Sequence, residues 1–240
     1  MDLIYSSESR LGNFTNSGIA ALIKGGQTAE TYVAEKIMER EFDLPLEPKT
    51  DTRETLWGKL VERRCFDILG LEYKLSSQET LTHSMIKYWR GSPDGFKYDE
   101  GQTIIDIKSP ATRKSFHTLT YPLYHNTSIL PVTYLRAYHK SGETYYWQLV
   151  SNACISKSKY AELIVYMPYR EELDTIREMA KATNDAAYNW IYYAEDYQLP
   201  YIKDGGRFKN LNIIRFEVSE ADKLLLTDKV VEYGKKLLAK

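Results

Sequence analysis

The sequence predicts a mixed α/β fold, with helices flanking a central mixed β-sheet. Three observations predict it. Apolar residues in the first third recur at helical spacing, the middle switches to the two-residue period of strands, and the remainder alternates between the two patterns. With 240 residues, 43% of them hydrophobic, the chain is long enough to fold around a full core as one domain. Within that domain we separate an N-terminal helical part (1–56), a core (57–170) and a C-terminal part of helices and a strand (171–240).

Thr15-Asn16-Ser17 precedes the apolar run Gly18 to Ile23 and reads as a cap followed by a short helix. Gly25-Gly26 reads as its stop. A second helix is expected from Thr28 to Glu41, burying Tyr32, Ala34, Ile37 and Met38, and a proline-bearing loop from Asp43 to Thr52. Glu54 to Leu69 is a third helix, ended by Gly70. Trp89 to Tyr98 and Gln102 to Ser109 read as two strands joined by the turn-forming Asp99-Glu100-Gly101. Thr118 to Tyr138 mixes tyrosines with prolines and is assigned to loop plus strand. Glu143 to Ile155 is helical, Tyr160 to Met167 is a buried strand stopped by Pro168, and a helix follows near Glu171 to Thr183. A strand at Asn212 to Val218 leads into a last helix from Glu220, capped by Ser219 with Asp222 three residues on.

Several function classes are disfavoured. Lysine and arginine total 32 against 33 acids, a net charge of -1, so a molecule-wide basic field is excluded and any nucleic-acid surface must be local. Cys65 and Cys154 have no metal-type spacing and make no disulfide framework. The four histidines lack the i, i+4 spacing of a helical metal motif, and no phosphate-cradling glycine loop or Ser-His-Asp order occurs. No apolar run approaches the length of a membrane helix, and the first residues lack a signal-peptide pattern, so a reducing cytoplasm is expected.

The chemistry concentrates on the hairpin. If its turn is centred on Glu100, residues whose numbers sum to 200 face one another, and Asp94 lies opposite Asp106. Directly opposed residues have Cβ atoms about 4.5–5.5 Å apart, so two carboxylates there repel unless a cation lies between them. A divalent ion that favours one or two carboxylates plus waters meets that need. Lys108, two residues beyond Asp106, projects from the same face, while Ile105 and Ile107 face the core. The Ile107 carbonyl is a candidate further ligand. Two carboxylates, a metal and a lysine suit phosphodiester hydrolysis. Taken singly, Pro93-Asp94-Gly95 is ordinary turn chemistry and Asp-x-Lys an ordinary strand face. Charges beside Ile104, Ile105 and Ile107 are less ordinary.

Gly91-Ser92-Pro93-Asp94-Gly95, with Asp106-Ile107-Lys108 following Asp94 after eleven residues, resembles the signature of the PD-(D/E)xK nucleases. Trp57-Gly58-Lys59-Leu60-Val61-Glu62 resembles the glycine-to-glutamate helix of that superfamily. Tyr145 to Asn152 with Tyr160 to Pro168 is similar to its glutamine helix and next strand. Order and spacing are closest to the phage lambda exonuclease or YqaJ-type recombinase branch, over about residues 10 to 170.

The resemblance implies a restriction-endonuclease-like core. It implies Asp94 and Asp106 as ligands of Mg2+ (or Mn2+), Lys108 as the water-activating or charge-stabilising group, Glu62 as a water-orienting group or further ligand, and Gln148 steering the lysine or the water. Gly58, one turn before Glu62, would leave room for metal and phosphate. The family often has a tyrosine four residues after the glutamine; here that residue is Asn152, so that contact is missing. Arg10 to Ser17 resembles the arginine-then-serine element that engages a recessed 5′ phosphate, which implicates Arg10, Thr15 and Ser17. An arginine beside hydroxyl-bearing residues at a helix start is a natural phosphate binder. Arg113 and Lys114, just past the catalytic strand, are further phosphate candidates. The clustered tyrosines read as packing more readily than as base stacking, and Asp204 to Lys209 as a plain turn.

The function implied is 5′-to-3′ digestion of double-stranded DNA ends for phage-type recombination. A single-strand-annealing recombinase would be a partner, the assembly a homotrimer, and the setting a bacterial host carrying the phage or prophage. A repair or defence endonuclease of the same chemistry, or a DNA-binding or assembly module without catalysis, are the other readings.

Overall fold

The structure is a computed structural model, and it describes residues 10–47, 50–75, 80–125 and 128–239. In chain order these form β1 (Phe14–Thr15), α1 (Ala20–Lys24), α2 (Gly26–Phe42), α3 (Arg53–Ile68), β2 (Tyr73–Leu75), β3 (Leu81–Thr82), β4 (Trp89–Gly91), β5 (Gly95–Lys97) and β6 (Thr103–Lys108). There follow α4 (Arg113–Tyr124), α5 (Pro131–Tyr138), α6 (Gly142–Ser156), β7 (Tyr160–Tyr166), α7 (Leu173–Ala182), α8 (Asn189–Tyr192), β8 (Leu211–Glu217) and α9 (Glu220–Leu238). The mixed α/β class is as expected.

The strands make two sheets. A five-stranded sheet runs in the order β2-β5-β6-β7-β8, and a small one in the order β1-β4-β3. In the larger sheet only β6 and β7 are parallel; the long crossover between them is α4, α5 and α6. Alternation along the central strands sorts their side chains to two cores. Ile104, Leu163 and Val165 join one with α1, α2, α4, α6 and α9, while Ile105, Ile107, Ile164 and Tyr166 join another with α3, α7 and α8. The sheet is thus covered on both faces, and β6 is almost wholly buried.

Four expectations need correction. The strand expected over Trp89 to Tyr98 is split: β4 pairs with β1 and β3 in the small sheet, and only Gly95–Lys97 joins β6. Pro93 has no N–H to give to a ladder, so the chain leaves one sheet for the other there. Thr118 to Tyr138 is helical, not loop plus strand. Its prolines misled because Pro131 starts α5, where a missing N–H costs nothing, and α4 runs through Pro122 to Tyr124 despite the N–H that Pro122 lacks. Thr15-Asn16-Ser17 does not cap α1, whose N-cap is Ile19 without a side-chain bond; Phe14–Thr15 is strand instead. On α2, Ala34 and Met38 are exposed, and the buried positions are Ala29, Tyr32 and Val33.

The other expected elements fall within one or two residues of their predicted bounds, while β2, β3 and α8 were not expected. Ser219 caps α9 by accepting the Asp222 N–H. The hairpin register is also as expected: Gly95 pairs with Ile105, Phe96 with Ile104 and Lys97 with Thr103. Gly101, at φ 96°, and Gln102, at φ 49°, make the turn, which Thr103 Oγ1 closes by donating to Asp99 at 2.9 Å.

Candidate active site

The site is built where β5 ends. Its ladder with β6 stops at Gly95, so Asp106, Ile107 and Lys108 have β7 on one side and no strand on the other. Asp94 occupies that opening. Its N–H still reaches the Ile105 carbonyl at 3.3 Å, and its Oδ2 accepts the Ile107 N–H at 2.6 Å. The main-chain N–H of Ile107 is thus the group that ties Asp94 to β6.

Asp106 lies on the α6 side of the sheet and is 1% exposed. Gln148 Nε2 donates to its Oδ1 at 2.7 Å, and Lys108 Nζ lies 2.6 Å from its Oδ2. Among the described residues no donor other than that ammonium meets Oδ2. Lys108 also lies over the ring of Tyr145, 5.1 Å from its centre. Glu62 arrives from the other face, on α3, whose Trp57, Leu60, Val61 and Cys65 pack against Ile105 and Ile107. A Cβ added at Gly58, one turn before Glu62, would meet nothing within 4 Å, so the space expected there is open.

Crowded carboxylates perturb one another. Burial, then the charge of Asp106, pushes Glu62 up to about 7. Burial, then Asp106 and Glu62, raises Asp94 well above the usual carboxylate range. Burial disfavours the Lys108 ammonium, but Asp106 and then Asp94 outweigh it and hold the lysine protonated above its ordinary pKa. The site thus has an excess of hard oxygen donors and negative charge, with an oxygen of Asp106 met, among the described residues, by Lys108 alone. That donor set fits magnesium, which needs few protein carboxylates and keeps its waters. Among the described residues no three Asp, Glu, His or Cys side chains are gathered as a ready-made cage, and Glu62 meets the aspartates through its charge.

A second cluster forms at the N-terminal segment. Arg10, Thr15 and Ser17 line one cavity of about 180 Å³ together with Leu11, Lys36, Glu39 and Pro45. Thr15 Oγ1 and Ser17 Oγ are 3.3 Å apart, and the Thr15 N–H donates to Tyr32 Oη at 2.9 Å. The segment is clamped by α2: Glu39 accepts the Gly12 N–H at 2.8 Å, and Arg40 Nε donates to the Gly12 carbonyl at 2.6 Å. Gly12 has φ +61°, and a Cβ there would run into the Arg40 side chain, so only glycine suits the clamp. Asn16, between the two hydroxyl residues, is buried and turns inward to Asn152 and to Ser151, which also accepts from Trp89 Nε1 at 2.8 Å.

Arg113 and Lys114 are exposed at the start of α4, outside both clusters; Arg113 donates to the Tyr201 carbonyl at 2.8 Å. Tyr121, Tyr134 and Tyr138 pack ring on ring, with His125 at one end. The 204–209 segment is tied down through Lys209, whose N–H donates to Tyr124 Oη at 2.7 Å. Sequence reasoning missed Tyr145 and Lys36. Only the i, i+3 spacing of Tyr145 and Gln148 on one helix could have signalled the first, and nothing local signals the second.

No family model matches the chain, and no curated protein matches it. Solved structures do. The chain is similar to LHK-Exo, an alkaline exonuclease from Laribacter hongkongensis, at 17% identity and a TM-score of 0.60. In the complex of that protein with dAMP, the match covers 97% of this chain and 91% of the other. It is also similar to a phage-related exonuclease from Haemophilus somnus 129PT, at 15% identity and a TM-score of 0.61, over 94% of this chain and 92% of the other. The chain therefore has the fold of the alkaline and phage-related exonucleases, as its resemblance to the lambda exonuclease branch of the PD-(D/E)xK nucleases implied.

Proposed function

We propose that the chain is a magnesium-dependent deoxyribonuclease that digests one strand of duplex DNA from a 5′ end. One observation carries the reading most. A buried Asp106 is held by Lys108 and Gln148 at the open edge of β6, beside Asp94, on a fold shared with exonucleases.

Magnesium, or manganese, would supply positive charge against the phosphate and a water of lowered pKa. Asp94 and Asp106 are the residues to hold it, with Glu62 close enough in charge to orient a water from the α3 side. Lys108 stays protonated and offers an N–H donor to the oxygen on which charge builds as water adds to phosphorus and the ester P–O bond breaks. Gln148 keeps Asp106 oriented so that its second oxygen faces the lysine. The cavity lined by Arg10, Thr15, Ser17 and Lys36 is of a size and chemistry to take a terminal 5′ phosphate. Arg113 and Lys114, outside it, are assigned to the DNA backbone further along. Recombination, an annealing partner and a trimer belong to the same reading, and trimeric packing would let three locally basic surfaces line one channel on a chain of net charge -1. No helix among the described residues is long and apolar enough to cross a membrane.

The test is digestion of a linear duplex labelled at one 5′ end, with and without magnesium, beside Lys108→Ala. Metal-dependent release of the labelled nucleotide, faster from a 5′-phosphorylated end and lost in the variant, is the expected result. Cleavage of closed circles instead would make the protein an endonuclease. Binding without digestion in magnesium or manganese would leave a DNA-binding module.

A further inference from the structure

Lys108 meets a carboxylate on one side and an aromatic ring on another. Besides Asp106 at 2.6 Å, the ammonium has the face of Tyr145, 5.1 Å to the ring centre. Tyr145 is one turn before Gln148 on α6, so a single helix presents both the amide that holds Asp106 and the ring that faces Lys108.

The ring is itself held in place. The imidazole of His139 stacks on Tyr145 at 5.6 Å between centroids and 26° between planes. His139 is buried and accepts the Ser141 N–H at Nδ1 (3.1 Å), which leaves the proton of a neutral ring on Nε2, 3.5 Å from Ser115 Oγ. Its carbonyl accepts the Gly142 N–H at 2.8 Å, the first residue of α6. A Cβ at Gly142 would strike the Leu135 carbonyl, so glycine lets α5 and α6 meet closely enough to set this stack.

We propose that Tyr145, backed by His139, is a positioning residue for Lys108. The proposal rests on the reading of Asp106 and Lys108 as the reacting centre. A lysine stem has four rotatable carbons, and a carboxylate alone draws its ammonium into a contact pair. The ring face attracts the same cation without adding a charge or a lone pair. It gives Lys108 a second hold beside Asp106, in addition to its contact with Asp106 Oδ2.

The experiment pairs NMR with kinetics on the full chain. With lysine labelled at the ε-carbon, Lys108 is assigned by its disappearance in Lys108→Arg. Its ε-protons are expected upfield in the wild type and in Tyr145→Phe, through the ring current, and at the ordinary lysine position in Tyr145→Leu. In the digestion assay Tyr145→Leu is expected to lose about tenfold in kcat with KM for DNA unchanged, and Tyr145→Phe to stay within about twofold. His139→Ala should lose part of both effects. If Tyr145→Leu does not fold, Tyr145→Met repeats the comparison without a π-face. A Lys108 resonance unmoved by loss of the ring, or a Tyr145→Phe as slow as Tyr145→Leu, overturns the proposal. Full activity in Lys108→Ala would instead overturn the catalytic reading, and the ring-current result would still report where the lysine sits.

Discussion

Asp94 Oδ2 accepts the Ile107 N–H at 2.6 Å, across the gap left where β5 stops pairing with β6. An ordinary β-sheet would fill that position with a backbone carbonyl. Here a carboxylate does so, which fastens its charge to the strand that carries Asp106 and Lys108.

The two aspects of Asp94, structural acceptor and negative charge, separate by substitution. Asp94→Asn keeps an oxygen for the Ile107 N–H and removes a charge that burial and Asp106 disfavour. It should be at least as stable as the wild type and inactive. Asp94→Ala orphans the N–H and should be about 1–3 kcal/mol less stable than Asp94→Asn by denaturant melting. Equal stabilities would show that the bond contributes nothing.

Glu62 gives the pH dependence a definite sign. Its folded pKa, about 7, lies above the unfolded value, so the folded state holds the proton more tightly and stability falls as pH rises through that interval. In metal-free protein, Glu62→Gln should have the stability of the wild type near pH 4. By pH 8 it should be more stable by about 2 kcal/mol, a figure reduced for partial solvent screening. A constant difference between pH 4 and 8 would show that Glu62 is not perturbed.

Gln148→Ala removes the donor to Asp106 Oδ1, a buried carboxylate oxygen. Activity should fall about 10- to 100-fold, as for groups that orient metal ligands elsewhere, while DNA affinity measured without divalent metal stays unchanged. A loss confined to DNA affinity would place the amide at the substrate.

Asn152 accepts from Asn16, and Asn16 lies between the two hydroxyl residues of the cavity proposed to take the 5′ phosphate. Asn152→Leu should cost about 1–3 kcal/mol by stranding the Asn16 amide. The Asn16→Leu/Asn152→Leu pair should cost less than the sum of the single changes. The preference for 5′-phosphorylated ends should weaken in both single variants; a preference untouched in either would show that the network supports the fold alone.

Much of the candidate site was legible because a hairpin fixes its own register. The three-residue Asp99-Glu100-Gly101 turn set the sum-to-200 pairing seen from Lys97–Thr103 to Gly95–Ile105, which brings Asp94 to the edge of β6 beside Ile105 and Ile107. What the alternation could not show is that pairing stops at Gly95 and that Trp89–Gly91 leaves for another sheet. A strand reads the same locally whichever neighbour it joins. The helices over 113–138 were hidden for a related reason: Pro131 signals a break but begins α5, where proline is tolerated, and α4 continues through Pro122 despite the N–H it lacks.

Read by itself, the sequence determined the residue types of the centre, the spacing of Asp94, Asp106 and Lys108, the mixed α/β class and most of the helices, because each depends on periods and turns of a few residues. The tertiary structure decided what stands against that hairpin. It brought α6 over one face, setting Gln148 on Asp106 and Tyr145 under Lys108, and α3 over the other, bringing the charge of Glu62 near. It also folded Arg10, Thr15 and Ser17 around Lys36. These contacts join residues tens of positions apart, and side-chain packing between elements, which no local pattern encodes, selects them.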